Sequence, residues 1–367
     1  MSALPHSQIR LHGPDVLRGF AALGVVFFHV LYLSGLPQTA ITNFLFGRLD
    51  FLVRLFFSIS AFSICYAYYN RIDSKVQLRS FYINRFFRIA PLFYFALALS
   101  IAISYILGRG LPSLYDFVLS LSFLFPFVPG KHGSLVGGGW SLGLEWLFYV
   151  FFPILICFCR GILTSLSVWV GLLFIALCRY TYFTQGGTPA PLYEYGILFF
   201  LSHAPFFLVG VLLYFLFERF SGRQYNIPAI SGISIIGITL ITMSYFYFKL
   251  DEKIPEEIFL SLASFSLIAL SILGMPRVLD NALTRHLGSI SYSVYLMQFP
   301  VIAIVGHFGF YGYILDLSKH HTVNFLLAAV FTATVVIFVS HFTHKLIELP
   351  LIKVGRSFAK RQQPLND

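Results

Sequence analysis

The chain has 367 residues, of which 57% are hydrophobic and only 11% are charged, whereas about 25% of the residues in a soluble domain are charged. Its mean hydropathy of +0.80 excludes a soluble fold, because too few polar groups remain to cover the surface. The net charge of +10 therefore indicates basic cytoplasmic loops and contact with anionic lipid headgroups of a bilayer, rather than binding to nucleic acid.

Apolar runs of spanning length predict an all-α fold, a polytopic transmembrane helical bundle with about ten spanning helices. The predicted spans lie near residues 17–36, 49–70, 86–107, 141–159, 162–180, 196–217, 228–249, 255–274, 287–306 and 323–345. The first run follows basic residues and contains His29, so we interpret it as a retained span rather than a cleaved signal peptide.

An eleventh apolar segment, 115–129, is predicted not to cross the membrane. It contains Pro126 and Pro129, and its roughly 15 residues would cover only about 22 Å of a hydrocarbon core about 30 Å thick. If the segment does not cross, most lysines and arginines lie on the cytoplasmic side together with both termini, as the positive-inside tendency favours. We therefore predict one short interfacial or re-entrant helix in addition to the ten spans.

The polar stretches are too short to form a soluble domain of their own. The longest are the N-terminal 16 residues, the loop 71–85 and the tail after Pro350. The sequence thus predicts one membrane domain, residues 1–350, followed by a basic cytoplasmic tail, residues 351–367.

Ionisable residues inside spans are costly, which makes Arg18 and His29 of the first span candidates for function. They are 11 residues apart, about 20° past three full turns, so they share one helix face at a separation of about 16 Å. A lone membrane histidine can equally be an interhelical hydrogen-bond partner. The residue types alone leave both interpretations open.

Glu145 is the second candidate, in a helix predicted to enter from the outer side. Ser141, Glu145 and Tyr149 recur every four residues and form a polar stripe on an apolar helix. Glu145 is about 6 Å from the predicted start of its helix and His29 about 18 Å from the start of its own. Both are therefore expected in the outer half of the membrane core, where they can meet as a catalytic pair or as a structural pair.

Arg85 and Arg88 lie one turn apart at the predicted inner mouth of the third span. Guanidinium groups match the geometry of phosphate, although basic residues at this place also serve to orient a helix. A Walker-type phosphate loop is missing from the sequence, which argues against an ATP-driven pump.

The cysteines and the remaining histidines predict no metal site. Cys157 and Cys159 lack a second ligand pair at zinc-finger spacing. His341 and His344 lie near the end of the last span, where an interfacial role is favoured over metal binding. His203 is expected near the middle of the membrane, bonded to a neighbouring helix.

Five motifs, in this order, resemble those of the acyltransferase 3 family of integral-membrane acyltransferases, which includes polysaccharide O-acetyltransferases. They are Arg18 with His29, 56–62 (FFSISAF), 85–91 (RFFRIAP), 140–149 (WSLGLEWLFY) and 291–296 (SYSVYL). Two positions depart from the family pattern. Ala61 replaces a glycine, and Gln298 stands where the family commonly has histidine, so a second essential histidine is not expected there.

The resemblance implies transfer of an acyl group, commonly acetyl, from cytosolic acyl-CoA to a hydroxyl of a cell-surface carbohydrate or lipid-linked glycan. It implies a bacterial inner (cytoplasmic) membrane, acyl-CoA as the donor substrate and no bound cofactor. His29 is then the catalytic base or a transiently acylated group, and Glu145 orients its imidazole. Arg18, Arg85 and Arg88 are the expected phosphate ligands. The thioester or the acceptor is expected to be positioned by Ser60, Trp140, Ser141, Tyr149, Tyr292 and Tyr295.

The rival hypothesis is a proton-coupled transporter in which His29, Glu145 and His203 form a relay. The arginine pair and the five motifs favour the enzyme. A catalytically silent membrane protein is supported only by the Gln298 departure, and the sequence does not predict an oligomeric state.

Overall fold

The computed structural model describes residues 11–183, 189, 192, 198–220, 256–273 and 278–361. These residues form helices and, within the described ranges, no strands. The α-helices are α1 (His12–Leu33), α2 (Ala40–Phe46), α3 (Phe51–Tyr68), α4 (Lys75–Ile106), α5 (Leu114–Ser122), α6 (Gly139–Phe158), α7 (Ile162–Phe183), α8 (Phe200–Phe220), α9 (Glu256–Leu273), α10 (Ala282–His307), α11 (Phe310–Leu317), α12 (His321–Thr343) and α13 (Leu349–Arg361). Short 3₁₀ turns occur at Tyr69–Arg71 and Phe125–Phe127, and a π-helical turn, His344–Glu348, joins α12 to α13.

Eight helical segments of the described part are long and apolar enough to cross a membrane, as judged by length and composition. They are α1, α2 with α3, α4, α6, α7, α8, α10, and α12 with α13. The predicted all-helical, multi-pass architecture is thereby confirmed. The helix α9 is apolar but shorter, and the predicted span 228–249 lies outside the described residues. The count of ten spans and the cytoplasmic position of both termini stay predictions.

Close approach between helices depends on small residues, as is usual where lipid supplies no hydrophobic driving force. A Cβ added at Gly288 of α10 would lie 2.1 Å from the carbonyl oxygen of Asp15 in α1. A Cβ at Gly210 of α8 would lie 2.1 Å from the carbonyl oxygen of Ser58 in α3. These two contacts draw α1 against α10 and α3 against α8, so that the polar residues of α1 and α3 face the centre of the bundle.

The segment 115–129 forms no spanning helix, in agreement with the sequence. The helix α5 has nine residues and is about 14 Å long, and it is followed by Phe123, whose φ of 58° lies in the left-handed region. Lys131 Nζ lies 2.7 Å from Asp116 Oδ1, and this contact holds the pKa of the Asp116 carboxyl below its ordinary value. Because the ion pair joins the two ends of the segment, the chain turns back on itself.

The hairpin closed by Asp116 and Lys131 leads to a prediction for cysteine labelling. Single cysteines are introduced into a variant that lacks the four native cysteines. We expect Gly133→Cys and Arg109→Cys to react with a membrane-impermeant thiol reagent from outside the cell. Asp73→Cys is expected to react only after permeabilisation. All three positions are exposed, and a Cβ at Gly133 meets nothing within 4 Å. Labelling of Gly133→Cys together with Asp73→Cys would contradict the topology.

The helix α4 corrects one expectation, because residues 75–85 are helical and not part of a loop. Ser74 caps the helix, with its Oγ accepting from the Gln77 N–H at 3.3 Å. These first turns pack against α13, where Ser80 Oγ donates to the Ala359 carbonyl at 3.2 Å. Tertiary packing thus extends α4 beyond its apolar run. Arg85 is about 15 Å from the start of α4, within a continuous helix rather than at its mouth.

The C-terminal residues 349–361 form the helix α13, continuous with α12 through the π-helical turn. Gly355 and Ala359 are buried on the side that faces α4, and the ring of Phe358 lies 6.0 Å from that of Phe87. The predicted domain boundary at 350 falls within this continuous helix. The cytoplasmic side of this segment stays a prediction.

Candidate active site

A cavity of about 220 Å³ lies between α1, α3, α4, α6 and α10. It brings together nine of the eleven side chains expected at the site, namely Arg18, Ser60, Arg85, Arg88, Ser141, Glu145, Tyr149, Tyr292 and Tyr295. The two exceptions are His29 and Trp140. The Trp140 ring packs 6.2 Å from Phe57 and 5.2 Å from His203. Phe57 lines the cavity, so Trp140 supports its wall instead of facing its interior.

Three guanidinium groups face the cavity, and each has different partners. Arg18 donates to Ser63 Oγ at 3.0 Å and lies 3.6 Å from Asp15. Arg88 forms an ion pair with Glu348. Arg85 donates to the Tyr68 hydroxyl at 3.4 Å.

Of these three arginines, Arg85 has no carboxylate partner among the described residues. Its guanidinium lies over the rings of Tyr68 and Tyr149, at 5.1 and 5.6 Å. Its Nε is buried and has no hydrogen-bond partner in the described part of the chain. An unpaired buried donor costs free energy, and an anion bound in the cavity would satisfy it. Arg85 is therefore available to bind an anion there.

The polar stripe predicted on α6 is confirmed, because Ser141, Glu145 and Tyr149 all line the cavity. Glu145 Oε1 accepts from Ser60 Oγ and from the Tyr149 hydroxyl, both at 2.5 Å. Ser141 Oγ lies 2.7 Å from the hydroxyl of Tyr295. The carboxylate is therefore held by hydroxyl groups, next to the three guanidinium groups.

The expected contact between His29 and Glu145 is wrong. His29 Nδ1 lies 3.1 Å from Gln298 Oε1, and its ring packs against Phe299 at 4.5 Å. The reason is depth: Glu145 lines the cavity together with Arg18, and His29 lies 11 residues after Arg18 on α1, about 16 Å further along the helix. Tyr295 connects the His29–Gln298 pair to the cavity that contains Glu145.

The connection through Tyr295 uses both ends of that residue. Its hydroxyl lies at the cavity, bonded to Ser141 and to the Gly138 carbonyl at 3.1 Å. Its backbone carbonyl accepts from Gln298 Nε2 at 2.8 Å. His29 thus lies beside the cavity. Gln298 bonds to both His29 and Tyr295, and Tyr295 forms part of the cavity wall.

Glu348 is a site residue that the sequence analysis missed. Its side chain is 1% exposed. It accepts from Ser293 Oγ at 2.8 Å and lies 2.9 Å from His344 Nδ1, in addition to its pair with Arg88. The sequence feature that could have identified it is a glutamate within the apolar run 346–350, one helical turn after His344. The predicted span ends at residue 345, which places this glutamate outside the predicted spans.

No group of three or more His, Cys, Asp or Glu side chains placed to hold a metal ion occurs in the part of the chain that the structure describes. The polar groups of the cavity are three guanidinium groups, several hydroxyl groups and the Glu145 carboxylate, and the excess of guanidinium groups suits an anionic organic substrate.

Comparison with known proteins adds a family match. The acyltransferase 3 sequence model, described as an acyltransferase domain, matches residues 11–343. The protein ORF330 of Acidianus two-tailed virus, named as an inferred acetyltransferase, is 26% identical over 302 residues, which cover 80% of this chain and 84% of that protein. No solved structure matches the chain significantly.

Two staphylococcal proteins are similar over most of this chain. SACOL0978 of Staphylococcus aureus strain COL, named as an inferred O-acetyltransferase, is 24% identical over 83% of this chain and 54% of its own length. The O-acetyltransferase OatA of strain NCTC 8325 / PS 47 is 24% identical over 96% of this chain and 59% of its own length. The chain therefore spans less than two thirds of the length of these two relatives.

Proposed function

The chain belongs to the acyltransferase 3 family and is an acyltransferase, and on that basis we propose that it moves an acyl group from acyl-CoA to a hydroxyl of a cell-surface carbohydrate or lipid-linked glycan. The names of the staphylococcal relatives, an O-acetyltransferase and an inferred O-acetyltransferase, support acetyl as the group and oxygen as the acceptor atom. In this proposal the donor comes from the cytoplasm, and the membrane is the bacterial inner membrane.

The observation that carries the proposal is the cavity with three guanidinium groups, one of which has no carboxylate partner in the described ranges. Coenzyme A ends in a diphosphate and a ribose phosphate, and guanidinium groups bind phosphate with paired hydrogen bonds. Arg85 is the leading phosphate ligand, with Arg18 and Arg88 beside it. The hydroxyl groups of the cavity then position the thioester.

The proposed reaction is direct transfer. The acceptor oxygen attacks the thioester carbonyl, a C–O bond forms, the C–S bond breaks and the proton of the acceptor passes to the neutral imidazole of His29. The imidazolium then returns this proton to the departing sulfur of coenzyme A. Glu145 acts in the donor cavity, where it holds Ser60 and Tyr149, rather than on the imidazole itself.

A proton-coupled transporter is not favoured. A relay requires neighbouring titratable groups, whereas His29 bonds to Gln298 and Glu145 bonds to Ser60 and Tyr149. The family match also favours the enzyme.

The proposed function is tested with membranes that carry the chain, incubated with acetyl-CoA labelled in its acetyl group. We expect label to appear in a glycan or glycolipid fraction and to be released by mild base, as an oxygen ester is. Membranes without the chain serve as the control. Consumption of acetyl-CoA without a labelled, base-labile product would contradict the proposed acceptor.

The role of Arg85 makes a kinetic prediction. Arg85→Gln is expected to raise the KM for acetyl-CoA by about 10- to 100-fold, since a hydrogen bond to a charged group contributes about 1.5–3 kcal/mol. The value of kcat is expected to change little, because contacts to remote phosphates stabilise the ground state and the transition state alike.

Arg79→Gln is the matched control for Arg85→Gln. It removes the same charge from an exposed position on the same helix, away from the cavity, and should leave the KM for acetyl-CoA unchanged. A fall in kcat without a change in KM in Arg85→Gln would assign Arg85 to the chemical step instead of to donor binding.

A further inference from the structure

Gln298 joins His29 to the wall of the cavity through two hydrogen bonds from one side chain. Its amide Nε2 lies 2.8 Å from the Tyr295 carbonyl oxygen, and its Oε1 lies 3.1 Å from His29 Nδ1. The residue is 0% exposed, so its amide depends on protein partners for its hydrogen bonds.

These contacts determine which ring nitrogen of His29 carries the hydrogen. A backbone carbonyl can only accept, so the end of the amide that faces Tyr295 must be the donating nitrogen. The other end, which faces His29, is then the carbonyl oxygen, and it can only accept. Nδ1 of His29 must therefore be protonated in the neutral imidazole.

The protonation of Nδ1 determines the state of the other ring nitrogen in the neutral imidazole. Nε2 keeps its lone pair and has no hydrogen bond to any residue within the described ranges.

We infer that Gln298 is a positioning residue for acyl transfer, which holds His29 as the Nδ1–H tautomer so that Nε2 is free to take the proton of the acceptor hydroxyl. This inference rests on the proposed function of His29 as the base. Since a neutral imidazole accepts a proton only at its unprotonated nitrogen, control of the tautomer controls which side of the ring is active.

The same contacts link the base to the donor cavity. Tyr295 accepts from Gln298 through its carbonyl and reaches Ser141 through its hydroxyl. The orientation of the imidazole is thereby set by the residue that forms the wall of the cavity. A histidine at position 298 could replace the amide, because an imidazole accepts at one nitrogen and donates at the other.

The tautomer is tested directly by nitrogen NMR on the full chain with ¹⁵N-labelled histidine. The resonance of His29 is assigned as the one lost in His29→Asn. We expect a protonated Nδ1 and an unprotonated Nε2 in the wild type, and a mixture of tautomers in Gln298→Met, which has similar size but no donor and only a weakly accepting sulfur. A protonated Nε2 in the wild type would overturn the inference. This readout needs no turnover, so it is independent of the proposed function.

Kinetics test whether the tautomer matters for transfer. Gln298→Met is expected to lower kcat by about 10- to 100-fold, by analogy with the loss seen when a partner that orients a metal-ligating histidine is removed. The KM for acetyl-CoA is expected to stay unchanged, and Gln298→His is expected to restore kcat relative to Gln298→Met. Met297→Leu, at a buried neighbouring position, controls for packing of α10.

Two outcomes would contradict the inference, and a third would contradict the proposed function instead. Unchanged kcat in Gln298→Met, or an equal loss in Gln298→His and Gln298→Met with both variants folded, would reduce Gln298 to a packing role. Full activity of His29→Asn would remove His29 as the base, and the NMR assignment of its tautomer would then stand without a catalytic meaning.

Discussion

His29→Asn is expected to lower the rate of acyl transfer at saturating substrate by about 10²–10⁴-fold, the usual contribution of a general base. Asparagine is the most specific replacement, because its amide N–H can still donate to Gln298 as Nδ1 does, while it supplies no basic nitrogen. The variant therefore tests the Nε2 lone pair with the buried contact preserved. The measurement is kcat for transfer from acetyl-CoA in detergent or nanodiscs.

His307→Ala is the control for the His29 variant. It removes an imidazole from the exposed end of α10, outside the cavity, and is expected to keep wild-type kcat. Membrane insertion of both variants is checked by their yield in the membrane fraction and by their elution in size-exclusion chromatography. Wild-type activity in a well-folded His29→Asn protein would refute the catalytic assignment.

Arg88→Gln is expected to lower the free energy of unfolding by about 3–5 kcal/mol, because removing one member of a buried ion pair leaves an uncompensated charge. Glu348 is that charge: its side chain is 1% exposed, against 33% for Arg88. The hydroxyl of Ser293 and the imidazole of His344 remain as partners, but neither carries a permanent positive charge. The loss is measured by denaturant or thermal unfolding in detergent.

The double variant Arg88→Gln with Glu348→Gln is expected to recover most of this loss, since two neutral amides leave no buried charge. Arg285→Gln is the control. Its pair with Asp280 is more exposed, at 44% and 24%, and is expected to contribute at most about 1 kcal/mol. If the double variant is no more stable than Arg88→Gln alone, the pair is not what stabilises this region.

Features that depend on local sequence were predicted correctly. The spacing of Ser141, Glu145 and Tyr149 places them on one face of any α-helix, and in the structure all three line the cavity. The segment 115–129 is short whatever surrounds it, and it forms a helix of nine residues. Helical periodicity and segment length are properties of the chain itself, so no partner helix is needed to predict them.

Features that depend on contacts between distant segments were not predicted. The early start of α4 results from packing against α13, more than 260 residues away in the sequence, and the burial of Glu348 results from its contacts with Arg88 of α4 and Ser293 of α10. The composition of a segment does not specify such partners.

The partner of His29 is the clearest example of a contact between distant segments that the sequence did not predict. The sequence identified His29 and Glu145 as ionisable residues that a membrane rarely tolerates without a function, and it marked Gln298 as a departure from the family pattern. Only the tertiary structure decided that His29 pairs with Gln298, because it places Glu145 in the cavity beside Arg18, about 16 Å along α1 from His29. Hydrogen bonds act over about 3 Å, so a helix register that the sequence determines only approximately decides which side chains meet.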